Sequence, residues 1–383
     1  MNLDAVALAD RAGVYSLSLR DGKVAGIKRA PDGEAQWLAL PGLANLHAHA
    51  DRSFAVQFFR PRSFADAVAA ATEGRAGFTS ADVEKRATRF FERSIAHGVT
   101  RLRTHTDIDA IVELRCMQGV LAAKRAASSR LDVDVVAFST SRNDLAETHA
   151  VERLQRAVEL RANFIGASLN ASSDAPRAID ALFTLAERSN LPVDLHLDEH
   201  MEPSRTLAPM VAEAVIARGL QGRVTFSHLC VLSALAADPA RALIDKIAAA
   251  GITVIALPET NLLLQDRVEG TPRRRGITLV RELLAAGVKV RLGSDNVRDW
   301  FYPFGDGDML DTARLAVMAA HLDDTAELVG AICDGRRSIE EGAPVDLVLI
   351  PACSFDDALA RRPVGRMVFK AGCQVAGPVL RVV

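Results

Sequence analysis

From residue 38 onward, eight short apolar runs rich in β-branched residues alternate with stretches whose apolar residues recur at three- and four-residue spacing. The runs lie at 43–47, 99–105, 133–139, 163–169, 193–197, 224–229, 253–257 and 288–293, with amphipathic helices expected at 80–97, 178–190, 208–219 and 278–286 among others. Strands that are apolar throughout need cover on both faces, which regular strand–helix alternation supplies. Eight such units in succession predict an α/β fold, a TIM-type (β/α)8 barrel. An open doubly wound sheet shares the local pattern. The regularity of the eight units, and the absence of Gly-x-Gly-x-x-Gly after the first strand, point to closure.

The two ends read differently. Residues 14–20 and 23–28 form a hairpin around Asp21-Gly22, and 345–350 and 366–369 are short strands with a turn at Ala371-Gly372. Strands from both ends are expected to pair into a small β-sandwich domain, residues 1–37 and 343–383, beside a barrel at 38–342. No low-complexity linker or internal repeat interrupts the pattern.

Composition narrows the function. A formal charge of −2 gives no electrostatic footprint for nucleic acid, and two Trp with two Tyr leave few platforms for stacking single strands. The five cysteines are scattered without a Cys-x-x-Cys, as expected of free thiols in a reducing compartment. The start, Met1-Asn2-Leu3-Asp4, carries no signal-peptide pattern, and no run is long enough to span a membrane, so a cytoplasmic protein is expected. No heptad or exposed apolar segment specifies a number of subunits, and a homo-oligomer remains open.

In a parallel barrel the chemistry belongs at the C-terminal strand ends. Five of the nine histidines fall there: His47, His49, His105, His196 and His228. His47 and His49 are two apart on one strand, so both imidazoles can face one ion. Taken alone, such a pair is as readily two ordinary polar residues. The later strands add Asp194-Leu195-His196-Leu197-Asp198-Glu199, Ser227-His228 and Gly293-Ser294-Asp295-Asn296. Three neutral imidazoles and a carboxylate suit a divalent transition metal with a position left for water.

These ordered motifs, with Leu40-Pro41-Gly42-Leu43-Ala44-Asn45-Leu46 before His47, Arg103-Thr104-His105, Arg273-Arg274-Arg275-Gly276-Ile277-Thr278 and Trp300-Phe301-Tyr302-Pro303-Phe304-Gly305, resemble the amidohydrolase superfamily, most closely its cytosine deaminase branch. The resemblance runs from about residue 38 to 320. It implies that His47, His49, His196 and Asp295 ligate one metal, Fe(II) or Zn(II), which lowers the pKa of a water to give the nucleophile. It further implies that Asp295 accepts the water's proton. Glu199 would protonate a ring nitrogen and then the leaving amine, while His228 stabilises the tetrahedral centre. Binuclear relatives carry a lysine at the end of the fourth strand. Residues 163–170 hold none, so one metal is expected. The His-x-Glu and Pro-Cys-x-x-Cys pattern of other zinc deaminases is absent.

Blander readings apply elsewhere. His105 is expected as a hydrogen-bond partner of a ligand rather than a ligand. Asp198, His200 and Glu202 are expected to be solvated, and His97, His149 and His321 to lie on the surface. The run from Arg273 to Arg275 reads as a solvated or salt-bridged helix start. Trp300, Phe301 and Phe304 follow a ligand position and are expected to wall the pocket against a flat ring.

The resemblance is weaker for the substrate. Cytosine deaminases carry a Phe-Pro-Gln after the third strand, whose amide reads the pyrimidine edge; here the residues are Phe138-Ser139-Thr140. The second Asp after the eighth strand is Asn296, and Asp51-Arg52-Ser53 places a cation near the mouth. Thr140, Asn261, Gln265, Asn296 and Trp300 are the candidate substrate-binding residues. The expected activity is deamination of a cytosine-like pyrimidine or related cyclic amidine, a small-molecule substrate, with unsubstituted cytosine in doubt. Alkylamine release from an amino-triazine is the alternative. A barrel that binds metal without turnover is disfavoured, because Glu199 and Asp295 are both present.

Overall fold

The computed structural model describes residues 1–31, 33–267 and 274–378, so Arg273 and the last five residues of the expected end domain lie outside the described residues. Four strands open the chain: β1 (Asn2–Leu8), β2 (Arg11–Arg20), β3 (Lys23–Arg29) and β4 (Trp37–Pro41). Eight follow with helices between them: β5 (Leu43–Ala48), β6 (Val99–Ile108), β7 (Asp132–Ser139), β8 (Phe164–Ala167), β9 (Val193–Leu197), β10 (Val224–His228), β11 (Thr253–Ala256) and β12 (Lys289–Leu292). Three more, β13 (Leu347–Ile350), β14 (Met367–Lys370) and β15 (Cys373–Ala376), come after two further helices.

β5 to β12 lie side by side in chain order, and each neighbouring pair is parallel. An isolated parallel bridge, Ala48 to Asp295, joins the last strand back to the first, where the Asp295 N–H donates to the His47 carbonyl at 2.9 Å. This is the (β/α)8 barrel. The strands are nearly continuous in buried residues because barrel packing covers one face and the helices the other. The helix Ser80–Ala96, for example, turns Val83, Ala87, Phe90, Phe91 and Ile95 inward and starts on a Thr79 side chain that caps the Asp82 N–H.

The terminal strands form a second sheet of seven, in the order β15-β14-β13-β4-β1-β2-β3, with its own core of Leu3, Val6, Leu17, Leu347, Leu349 and Phe369. The sheet needs both ends of the chain: β4 pairs parallel with β1 and antiparallel with β13. Among the described residues no helix is long and apolar enough to cross a membrane.

Gly98 lies where the second sheet meets the barrel. It turns the chain from the helix Ser80–Ala96 into β6 at φ +96°, and a Cβ there would come within 2.7 Å of Val348 Cγ2 on β13. Gly98→Ala combines a backbone conformation that L residues avoid with a clash in a packed interface. It is expected to lower unfolding free energy by about 2 kcal/mol. Urea unfolding of the two proteins measures this, and an unchanged midpoint would mean that the interface yields freely.

Candidate active site

The first barrel strand carries His47 and, one residue past its end, His49; β9 carries His196; Asp295 follows β12 in the left-handed region at φ +59°. Barrel closure draws all four to one point. His49 Nε2 lies 3.1 Å from His196 Nε2, and Asp295 Oδ1 lies 3.5 Å from His47 Nε2 and 3.3 Å from His49 Nε2. One ligand atom from each of the four falls within 4.8 Å of all the others. Three imidazole nitrogens cannot all satisfy one another, since each neutral ring has one donor. His47 Nε2 and Asp295 Oδ2 have no hydrogen-bond partner despite their burial.

Separations of 3.1–3.5 Å are the edges of a coordination polyhedron with bonds of about 2.0–2.2 Å to nitrogen and oxygen. The donor set fits a divalent cation. Electrostatics agree. Burial, helped by His105, pushes the His47 imidazole down to about 3, and burial holds His49 and His196 well below their usual value, so all three are neutral donors. Burial opposes ionisation of Asp295, but contacts with His47 and His49 outweigh it and hold the carboxyl well below the ordinary range.

The groups behind these donors fix their direction. His47 Nδ1 donates to Ser227 Oγ at 2.9 Å, and that hydroxyl donates to Asp194 at 3.3 Å, so the Nε2 lone pair faces inward. Asp194 is also paired with Arg103 at 2.7 Å and lies 3.3 Å from His105 Nε2. His105, its ring 4.0 Å from that of His47, stands outside the group of four.

Two more groups reach the same space. His228 closes β10 at φ +73°, with Nδ1 3.0 Å from Asn261 Oδ1 and Nε2 3.6 Å from Glu199 Oε2. Burial, reinforced by Asp295 and opposed by His228, pushes the Glu199 carboxyl up to about 7. Near neutrality such a group can both give and take a proton. Gln265 Nε2 donates to the Glu199 carbonyl at 3.3 Å, and Thr278 Oγ1 to the His228 carbonyl at 2.6 Å.

A cavity of about 210 Å³ opens over these groups, lined by His196, Glu199, His228 and Asp295 at its reactive end. Of the candidate substrate-binding residues, Thr140 and Asn296 line it, whereas Asn261, Gln265 and Trp300 do not. Asn261 and Gln265 hold His228 and Glu199 from behind. Trp300 packs so closely on Gly74 that a Cβ there would lie 2.1 Å from its ring, and the next residue, Phe301, walls the cavity instead. Phe304 is exposed.

The expectation of solvation fails at two positions. Asp198 is fully buried, accepting from the Leu207 and Ala208 N–H groups at the start of the helix Ala208–Ala217, and His200 lines the cavity beside Asn170. His97 is half-buried against Asp306 at 3.1 Å. Sequence reasoning did not find Arg75 or Asp107, which also line the cavity, nor the wall from the helix Phe64–Gly74. The one signal was Asp107 itself, two residues past His105 and so on the same side of β6.

Comparison with known proteins follows the same lines. Residues 79–376 match the model of the amidohydrolase family. The pterin deaminase of Rhizobium rhizogenes is 33% identical over 351 residues, 87% of this chain and 79% of its own. The crystal structure of 5-methylcytosine deaminase from Klebsiella pneumoniae, liganded with phosphonocytosine, superposes with a TM-score of 0.90 at 25% identity, covering 100% of both chains. N-isopropylammelide isopropylaminohydrolase from Burkholderia multivorans gives 0.83 at 25% identity, covering 98% of each. The family match spans most of the barrel and reaches into the second sheet, and the chain belongs to the amidohydrolase family.

Proposed function

We propose that this protein is a metal-dependent hydrolytic deaminase of a small nitrogen heterocycle, replacing the amino group of a cyclic amidine with an oxo group and releasing ammonia. The observation that carries the reading is that a carboxyl pushed up toward neutrality, Glu199, lines one cavity with His196 and Asp295, while His47 and His49 complete the donor set behind them. The names of two relatives, a pterin deaminase and a 5-methylcytosine deaminase, support it. In both named substrates the amino group sits on a pyrimidine ring carbon flanked by nitrogen, alone or within a fused pair of rings.

His47, His49, His196 and Asp295 would hold one Fe(II) or Zn(II) ion. When bound, such a cation supplies Lewis acidity that brings the pKa of a water toward neutrality. The rest is proton traffic through the chain's own residues. Asp295 Oδ2, buried and unpartnered, takes the proton from the attacking water. Glu199 gives its proton to the ring nitrogen beside the carbon under attack, takes one back from the new C–OH as that becomes the oxo group, and hands it to the amine, which leaves as ammonia. His228 directs Nε2 at the new oxygen because Asn261 holds the other side of its ring. The five free thiols support a reducing, cytoplasmic setting.

Metal-loaded protein is expected to release ammonia from at least one ring among amino-pyrimidines, amino-pteridines and amino-triazines. Chelation should abolish the activity and Zn(II) or Fe(II) restore it. A coupled ammonia assay reads this, and alkylamine without ammonia would move the reading to the ammelide-type reaction of the Burkholderia relative.

Glu199→Gln should retain the metal, measured by elemental analysis, while turnover falls by about a hundredfold or more. Full activity in that variant would remove Glu199 from the proton path.

A further inference from the structure

Charged residues on the wall of the cavity and just behind it form one connected arc. Thr140 Oγ1 donates to Asp109 at 2.8 Å, and Asp109 accepts from Arg75 Nη1 at 2.9 Å. The same Nη1 lies 3.0 Å from Asp107, which accepts from Arg52 Nη1 at 3.0 Å. Arg52 Nε donates to Asp299 at 3.0 Å, and Asp299 accepts from Asn296 Nδ2 at 2.7 Å. The ends of the arc, Thr140 and Asn296, are the two positions where the sequence departs from the cytosine deaminase pattern.

Both ends are already engaged. The Thr140 hydroxyl donates to Asp109 and accepts from the Arg142 N–H, while the Asn296 amide donates to Asp299 and accepts from Thr260. The two arginines keep donors in reserve. Arg52 uses Nε and Nη1, and Arg75 uses Nε on the Ala71 carbonyl and Nη1 on the acids. Among the described residues neither Nη2 makes a hydrogen bond, neither is sealed from solvent, and both side chains line the cavity. Phe301 lies against the Arg52 guanidinium, 4.8 Å from its ring centre.

Charge decides what these donors can meet. The two guanidinium groups already face three carboxylates, Asp107, Asp109 and Asp299. The wall therefore offers oriented N–H groups without an excess of positive charge, and a neutral acceptor suits it better than an anion.

We propose that Arg52 and Arg75 are the specificity residues of this site, reading through Nη2 a neutral ring edge that carries two acceptors, an oxo oxygen and a ring nitrogen beside it. The inference rests on the deaminase reading above. A wall of donors rejects an edge that presents a ring N–H, because facing donors leave each other unpaired. The 4-oxo and N5 positions of a 2-amino-4-oxopteridine make such an acceptor pair, as O6 and N7 of guanine do for arginine. The N1–H and 2-oxo edge of cytosine does not.

The test compares 2-amino-4-oxopteridine with its 5-deaza analogue, in which C–H replaces N5, on metal-loaded protein. The wild type should favour the pteridine by about tenfold in kcat/KM, and a preference under about twofold overturns the proposal. Arg52→Lys and Arg75→Lys keep the charge beside the acids with fewer arms. Each should raise KM for the pteridine by about 10–100-fold with a smaller change in kcat, and in the variant of the arginine that meets N5 the analogue should change far less, so that the preference collapses there. Equal losses on both compounds in both variants also overturn it, because residues that only brace the pocket cannot tell nitrogen from C–H. If the wild type releases ammonia from neither compound nor from any other ring, the deaminase reading falls. Calorimetric binding of 2,4-dioxopteridine then decides the arginine assignment alone: affinity at least tenfold weaker in both variants supports it, and unchanged affinity overturns it.

Discussion

One backbone hydrogen bond joins the fold to the chemistry. The Asp295 N–H donates to the His47 carbonyl where the eighth barrel strand returns to the first, and each residue of that pair also directs a side chain at the same small space. Side chains alternate along a strand, so slippage by one residue at this seam would turn His47 and His49 away from Asp295. Two local features hold the seam. Asp295 takes a left-handed conformation, which a short polar side chain tolerates better than most. Two residues earlier stands Gly293, where a Cβ would lie 2.7 Å from that of His47. The geometry of the four-donor group is thus a consequence of how the barrel closes.

The same region concentrates polar groups that folding alone would avoid. Buried atoms without a partner include His47 Nε2, His228 Nε2 and Asp295 Oδ2, all at the reactive end. An unpartnered buried polar atom costs roughly 1–3 kcal/mol, so a cluster of them is a demand for something to bind there. The arc from Thr140 to Asn296 obeys the opposite rule. Its acids are each met by an arginine or an amide, which is how buried charge becomes tolerable. One part of the cavity is left wanting ligands and the other is nearly satisfied, with both arginine Nη2 groups uncommitted among the described residues.

What could be read from the sequence divides along the same line. Barrel strands announce themselves because burial on both faces demands continuous apolar runs, and polar residues that interrupt such runs at their ends, as His47, His196 and His228 do, stand out. The β12 region was legible for the same reason, through Gly293-Ser294-Asp295. Irregular segments have no period to constrain them. Trp300 and Phe301 are adjacent aromatics after a strand, and nothing in their order says which faces the cavity; the contact with Gly74, more than two hundred residues earlier, decides it. Arg75 was invisible, and Asp107 marked only by its position two residues past His105, for a related reason: their significance lies in each other and in Arg52, on separate segments. Asp198 looked solvated because capping the helix Ala208–Ala217 is a contact with a backbone ten residues away.

This division has a mechanistic sense. The residues proposed for the reaction stand on or immediately after strands β5, β9, β10 and β12, where neighbouring strands fix each backbone position. Those that line the rest of the cavity come largely from the segments after strands, Arg52 and Asn296, and from the helix Phe64–Gly74 with Arg75 at its end. A rigid ring of strand ends can preserve one bond-breaking geometry while connecting segments change what is admitted. The 5-methylcytosine deaminase and the ammelide aminohydrolase share this fold over nearly their whole lengths, yet their names specify different rings and different leaving amines. Replacing a two-pronged amide after the third strand by Thr140 therefore does not dismantle the site. It passes the task of recognition to groups held two hydrogen bonds further along the arc, and the arginines occupy that place.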